Sequence, residues 1–160
     1  MTFGVVLLCG GQGTRMGQAT PKQFLSLNGK MIAQYSLEIF QSIPQISEIA
    51  IVIDEAYRHL FPGMPYANPG QRRQDSVKNG MLALSEPIDY VIVHDAARPF
   101  PPKKAIELAM EEAKAHGASV LGIPVKNTMK QINSEYFVVQ TLPRDELIEI
   151  QTPQVVKRDL

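Results

Sequence analysis

Two cations and four glycines share a short stretch near the start of the chain. It runs Cys9-Gly10-Gly11-Gln12-Gly13-Thr14-Arg15-Met16-Gly17, with Pro21-Lys22 close behind. Glycine tolerates positive φ and lets a ligand approach the main chain closely. Successive free N–H groups in such a loop make a nest for anions. Arg15 and Lys22 add two full positive charges, and no Asp or Glu precedes Glu38 to cancel them. The chemistry available to this stretch is the holding of phosphate.

A second constellation is His94-Asp95-Ala96-Ala97-Arg98-Pro99, which follows the apolar run Tyr90–Val93. A carboxylate at a strand end, facing a phosphate loop, is well placed to hold Mg²⁺ bridging to phosphate oxygens. Asp95 is therefore the candidate metal ligand. In isolation Asp95 also reads as an N-cap or as an ion pair with Arg98. No second His or Cys stands at ligand spacing from His94, so a hydrogen-bonded strand-end histidine is the simpler reading there. The chain shows no candidate triad and no paired carboxylates.

Three phosphate-loop templates can be compared. The P-loop needs Gly-x-x-x-x-Gly-Lys-Ser/Thr, and no Gly here is followed by Lys-Ser or Lys-Thr. The dinucleotide fingerprint needs a third glycine and a later acid for the ribose. Met16 occupies the third-glycine position, Pro21 interrupts the helix that should follow, and the acid is missing. The nucleotidyltransferase loop, Gly-Gly-x-Gly-Thr-Arg-Met-Gly and then Pro-Lys, fits at each position.

The elements that must position these groups follow from apolar periodicity. Val5–Leu8 reads as a buried strand emptying into the glycine loop. Phe24–Leu27 is short and extended, and Asn28-Gly29 marks a turn. Ile32–Ser42 carries apolar residues at helical spacing, and Pro44 ends it. Glu48–Ile53 suits a parallel strand covered on both faces, with Asp54 as N-cap of a short helix through Leu60. Phe61–Gly70, rich in Pro and Gly, is expected to be loop. Gln71–Ser76 leads into a helix through Leu84, lined inside by Val77, Met81 and Leu84. Lys103–His116 is amphipathic with the stripe Ile106, Ala109, Met110 and Ala113, and Gly117 stops it. Ser119–Val125 is a further strand. This alternation implies a three-layer, mostly parallel α/β sheet with right-handed crossovers. Ligands in such sheets sit beyond the carboxyl ends of the strands, where both constellations fall. From Asn127 to about Gln151 the pattern changes to short strands, Phe137–Val139 and Ile148–Ile150. This reads as a β-arm leaving the main sheet, whose apolar residues a second copy of the chain could cover.

Bulk properties set the class. One chain of 160 residues suits a single domain with a proper core. Lys plus Arg equal Asp plus Glu, sixteen each, so no global field draws nucleic acid or membrane. The lone cysteine, Cys9, cannot form an internal disulfide and suits the cytoplasm; at a strand end it reads as a small buried hydrophobe. The N-terminal apolar run is short and lacks a basic n-region, so no signal peptide is expected. No apolar stretch has the length of a bilayer span.

With the loop, Pro21-Lys22 and the His94–Pro99 hexapeptide quoted, the chain resembles the sugar-nucleotide-type nucleotidyltransferases. More closely it resembles the methylerythritol phosphate cytidylyltransferases of the non-mevalonate isoprenoid pathway. The resemblance implies a Rossmann-like fold of the nucleotide-diphospho-sugar transferase type and the joining of CTP to a sugar-alcohol phosphate with release of pyrophosphate. It implies catalytic roles for Arg15 and Lys22, and nucleotide contacts from Gly10, Gly11, Gly13, Thr14, Gly70, Gln71 and Ser76. Gln71 stands where many relatives carry an acid, and Arg72-Arg73 reads as a solvated charge pair. Asp95, Arg98 and Thr152 are expected to bind the substrate phosphate together with Thr128 and Arg144 of a neighbouring subunit, making residues 127–151 a homodimerisation arm. From composition alone Arg144 reads as a surface residue. Mg²⁺ or another divalent cation is the expected cofactor.

The resemblance also implies a longer C-terminus, with a second acidic metal ligand and a substrate-orienting lysine beyond Leu160. Val155–Leu160 reads as a helix beginning. Two further readings stay open: a sibling enzyme making another CDP-alcohol such as CDP-ribitol, and a catalytically silent nucleotide-binding domain.

Overall fold

The computed structural model describes residues 1–11, 20–85 and 87–160. Strand β1 (Phe3–Leu8) leads to the glycine stretch, and Lys22–Phe24 forms one 3₁₀ turn. A hairpin of β2 (Ser26–Leu27) and β3 (Lys30–Met31) precedes helix α1 (Ile32–Gln41). Then come β4 (Ile46–Val52), a 3₁₀ segment at Glu55–Leu60, β5 (Tyr66–Ala67) and α2 (Arg73–Leu82). The second half holds β6 (Tyr90–Asp95), α3 (Lys103–His116), β7 (Ala118–Pro124), β8 (Met129–Ile132), β9 (Val138–Leu142) and β10 (Ile148–Lys157).

Six strands form the main sheet in the order β5-β4-β1-β6-β10-β7. β1 pairs in parallel with β4 and β6, and β4 with β5. Only β10 runs antiparallel to both its neighbours. The expected three-layer, mostly parallel sheet is thus observed. Alternation along β1 divides the core: Phe3, Val5 and Leu7 face α1 and α3, where Phe40, Ile106, Met110 and Ala113 are buried. Val6 faces the other way, among Val52, Leu84, Ile88 and Val93, with Val77 and Met81 of α2 packed on them. Each such side chain taken out of water contributes about 1.5–3 kcal/mol. The α3 stripe is the one expected, and the helix ends where Gly117 turns left-handed at φ +86°, a conformation that suits glycine. Asp54 caps the 3₁₀ segment by accepting from the Ala56 amide.

Three expectations need correction. Val155–Leu160 does not begin a helix: Val155 and Val156 belong to β10, held between β6 and β7. The reason is backbone demand, because both neighbouring edges offer unpaired groups that a helix there would leave unsatisfied. Phe61–Gly70 is not all loop, since Tyr66 and Ala67 pair with Ile51 and Val52 as an edge strand. Phe24 is in the 3₁₀ turn rather than extended, stacked on Tyr57 with ring centroids 4.6 Å apart.

The arm region is a separate two-stranded sheet of β8 and β9. β8 lies where no strand was expected, and Met129 pairs with Leu142. The arm is rooted in the main sheet, because Ile148–Ile150 continue β10 and pair with Pro124, Ile123 and Gly122 of β7. Ile132, Phe137, Val138, Val139, Ile148 and Ile150 are all exposed.

Candidate active site

The carboxyl ends of β1 and β6 and the start of α2 enclose a cleft of about 770 Å³, within the range of small-molecule sites. Its walls include Gly10, Gly11, Lys22, Gly70, Gln71, Ser76, Asp95 and Arg98. Eight of the residues expected from the sequence are therefore brought together from segments far apart in the chain. Among the described lining residues Lys22, Arg72, Arg73 and Arg98 are cationic and Asp95 alone is acidic. Such a surface favours a polyanion.

The two glycine segments touch. A Cβ on Gly10 would lie 2.5 Å from Pro69 Cγ, and one on Gly70 would lie 2.3 Å from Asp75 Cβ. A side chain at Gly10 would push the two segments apart, and one at Gly70 would run into the start of α2. The Gly70 amide donates to Ser76 Oγ at 2.9 Å. Ser76 thus fixes the backbone at Gly70, next to the Pro69 that faces Gly10. Arg72 is exposed, as expected, and its guanidinium and its amide both donate to Asp75, which caps the start of α2. This holds the Asp75 carboxyl below its ordinary range.

Asp95 is held at four points. Its amide donates to Thr152 Oγ1 at 3.2 Å, and its carbonyl accepts from the Arg98 amide at 2.9 Å. Its carboxylate accepts from Arg73 Nη2 at 3.0 Å and lies 3.8 Å from Arg98 Nε. His94 is wholly buried, edge-on to Phe40, and its Nε2 donates to the Arg98 carbonyl at 3.0 Å. Burial pushes its pKa down to about 4, so a neutral ring clips the turn that carries Asp95 and Arg98. The strand-end reading of His94 is the one observed. Cys9 is buried, and burial pushes its thiol up, away from reactivity.

Residues 3–160 match the family model described as IspD: 2-C-methyl-D-erythritol 4-phosphate cytidylyltransferase. The chain belongs to that family. The chloroplastic 2-C-methyl-D-erythritol 4-phosphate cytidylyltransferase of rice (Oryza sativa subsp. japonica) is 44% identical over 98% of this chain and 55% of its own length. The enzyme of that name from Chlamydia pneumoniae is 45% identical over 98% of this chain and 72% of its own. The chain thus spans about half the length of the rice relative and under three quarters of the chlamydial one. The crystal structure of the Francisella tularensis cytidylyltransferase superposes with a TM-score of 0.80 at 30% identity, covering 99% of this chain and 73% of that one.

The remaining cytidylyltransferase positions are placed unevenly. Gly13, Thr14 and Arg15 lie outside the described residues. Thr152, 8% exposed, does not line this cleft; its hydroxyl accepts from the Asp95 amide, and with Arg98 it borders a neighbouring depression. Thr128 and Arg144 are exposed in the arm region and do not line the cleft; Arg144 Nη1 donates to the Lys126 carbonyl at 3.3 Å.

Two residues of the site escape a sequence reading. Arg73, expected to be solvated with Arg72, is exposed but also reaches Asp95. Its position in the first turn of a helix aimed at the strand ends is the one signal that could have found it. Gln23 is 4% exposed, against the glycine loop, and no local pattern marks it.

No group of three or more His, Cys, Asp or Glu converges among the described residues. Mg²⁺ in nucleotide sites commonly takes one or two carboxylates and fills its remaining positions with phosphate and water. The half-exposed carboxylate of Asp95, whose oxygens here face Arg73 and Arg98, is of the kind that such a donor set uses.

Proposed function

We propose that this chain serves cytidylyl transfer, joining CTP and 2-C-methyl-D-erythritol 4-phosphate to give the CDP-alcohol and pyrophosphate in isoprenoid precursor synthesis. The observation that carries the reading is the cleft itself, lined by Lys22, Arg72, Arg73 and Arg98 with Asp95 as the one acidic residue among the described lining, in a chain of this family.

The residues suit the chemistry. An oxygen of the alcohol phosphate attacks the α-phosphorus of CTP, forming one P–O bond as the bond to the β-phosphate oxygen breaks. That oxygen is already ionised, since a phosphate monoester has its second pKa near about 6. No general base is needed. What is needed is cationic compensation as charge crowds at the α-phosphate. Lys22 supplies it from the wall, with Arg15 as its partner. The amides of Gly10 and Gly11 face the triphosphate, while Gly70, Gln71 and Ser76 border the base and ribose. Asp95 would hold Mg²⁺, which screens the phosphate oxygens and eases departure of pyrophosphate. Arg98 and Thr152 would take the alcohol phosphate with Thr128 and Arg144 of the partner subunit. The exposed apolar arm would then be covered in a homodimer. The buried free thiol of Cys9 accords with a cytoplasmic setting.

Pyrophosphate release from CTP with Mg²⁺, comparing methylerythritol phosphate with ribitol 5-phosphate, tests the reading. Turnover is expected with the first. A preference for ribitol phosphate would move the chain to a sibling activity. Stabilisation by CTP without turnover would leave a silent nucleotide-binding domain. Stabilisation by NAD and not by CTP would overturn the reading altogether.

A further inference from the structure

We propose that Gln23 is a positioning residue that ties Cys9–Gly11 to the turn carrying Lys22, so that Gly10, Gly11 and the lysine meet the nucleotide in a fixed relation; the nucleotide's identity rests on the reading above. Gln23 is the one buried polar side chain on the Lys22–Phe24 turn. A primary amide has two N–H donors, and both are used on the loop. Nε2 donates to the Cys9 carbonyl at 2.5 Å and to the Gly11 carbonyl at 2.9 Å. The bonds end on the main chain of Cys9, at the edge of the core, and of Gly11, at the cleft wall. Cys9 is itself tied down, its amide donating to the Val52 carbonyl at 2.8 Å. A continuous path therefore runs from β4 through Cys9 to Gln23 and back to Gly11.

The consequence follows from peptide geometry. In a trans peptide the C=O and the next N–H point in opposite directions. Holding the Cys9 carbonyl therefore sets the direction of the amide of Gly10, a residue of the cleft wall. On the other side, Gln23 adjoins Lys22 within a turn closed by Phe24 N to Pro21 O at 2.9 Å and Leu25 N to Lys22 O at 3.2 Å. Fixing Gln23 fixes the Cα of Lys22. No isosteric substitute does both jobs: Met fills the space without donating, Glu turns acceptors against two carbonyls, and Asn is a methylene too short to reach both.

Gln23→Met and Gln23→Asn test this. Each is expected to weaken Mg·CTP binding, measured by titration calorimetry on this chain, by about 10–100-fold, the cost of misplacing a binding group by about 1 Å. Leu84→Ala, which loosens the opposite core, is the stability control and should lower the melting temperature without weakening CTP. Amide hydrogen exchange read by NMR without nucleotide gives an independent arm. The Gln23 side-chain N–H groups, both held by carbonyls, should exchange slowly in the wild type, and the Cys9 amide, bonded to Val52, should exchange at least about 10-fold faster in both variants. Variants with wild-type loop exchange and wild-type CTP affinity would overturn the proposal. If the wild type does not bind CTP, the cytidylyltransferase reading fails, and the exchange comparison still decides whether the clamp exists.

Discussion

Arg73 Nη2 lies 3.0 Å from Asp95 Oδ1, joining the first turn of α2 to the end of β6 across 22 residues of sequence. With Arg98 on the other carboxylate oxygen, the carboxylate is held between two guanidiniums. Asp95 thereby keeps its orientation at the cleft wall while remaining accessible, and Arg73 stands at the entrance with donors to spare.

Loss of this contact should show in catalysis more than in stability. Both partners are substantially exposed, and such pairs contribute under about 1 kcal/mol. Arg73→Ala is expected to lower turnover about 10–100-fold while the melting temperature stays nearly unchanged. Steady-state kinetics beside thermal denaturation would check it; a large fall in melting temperature would make Arg73 a structural strut instead.

Gly70→Ala should damage both fold and binding. Its Cβ would meet Asp75 Cβ at 2.3 Å and the Ser76 nitrogen at 2.9 Å, and backbone at that distance cannot rotate away. A stability loss of about 1–3 kcal/mol is expected, with weaker CTP binding. Ser76→Ala is milder, since it only frees the Gly70 amide, and should cost CTP affinity about 10-fold or less. Urea denaturation and calorimetric titration measure the two effects separately.

His94 makes stability fall in acid. Its pKa in the fold is about 4, against 6.5 for an ordinary histidine, because burial disfavours the charged ring. The unfolded chain binds the extra proton first, so the full contribution is present above about pH 6.5 and is lost as the pH falls towards 4. The total is about 3 kcal/mol. Nδ1 has no hydrogen-bond partner among the described residues, so protonation there finds no ready acceptor. Urea midpoints at pH 7.5, 5.5 and 4.5 should fall more steeply for wild type than for His94→Asn. Parallel curves would contradict this.

The arm should carry self-association. Val139 is 60% exposed on β9, so Val139→Asp ought to leave the monomer's melting temperature unchanged. In a homodimer built on residues 127–151 it should weaken association at least about 10-fold, since one buried apolar group replaced by a charge exceeds about 1.4 kcal/mol. Analytical ultracentrifugation over a concentration series checks this. A wild-type chain that stays monomeric throughout would remove the arm from the account.

Local chemistry explains which parts of this molecule are legible in its sequence. The α3 stripe and its Gly117 stop depend on contacts within a few residues, and so does the Asp54 cap. The phosphate loop with Lys22 and the Asp95–Arg98 turn are likewise local motifs. β10 is not legible that way, because Val155-Val156 extends only in answer to two strand edges supplied by β6 and β7. Arg73 and Gln23 escape for the same reason. Their partners lie 22 and 14 residues away, and nothing in their neighbours distinguishes a site arginine from a solvated one, or a buried amide from a surface one.

In the proposed cytidylyl transfer, cations acting on an already ionised substrate carry the rate, with no proton-abstracting side chain. Single-turnover pyrophosphate release by Lys22→Ala, with CTP and methylerythritol phosphate saturating, tests it most directly. The expected result is a rate about 10²–10³-fold below wild type. A rate equal to wild type would contradict the claim.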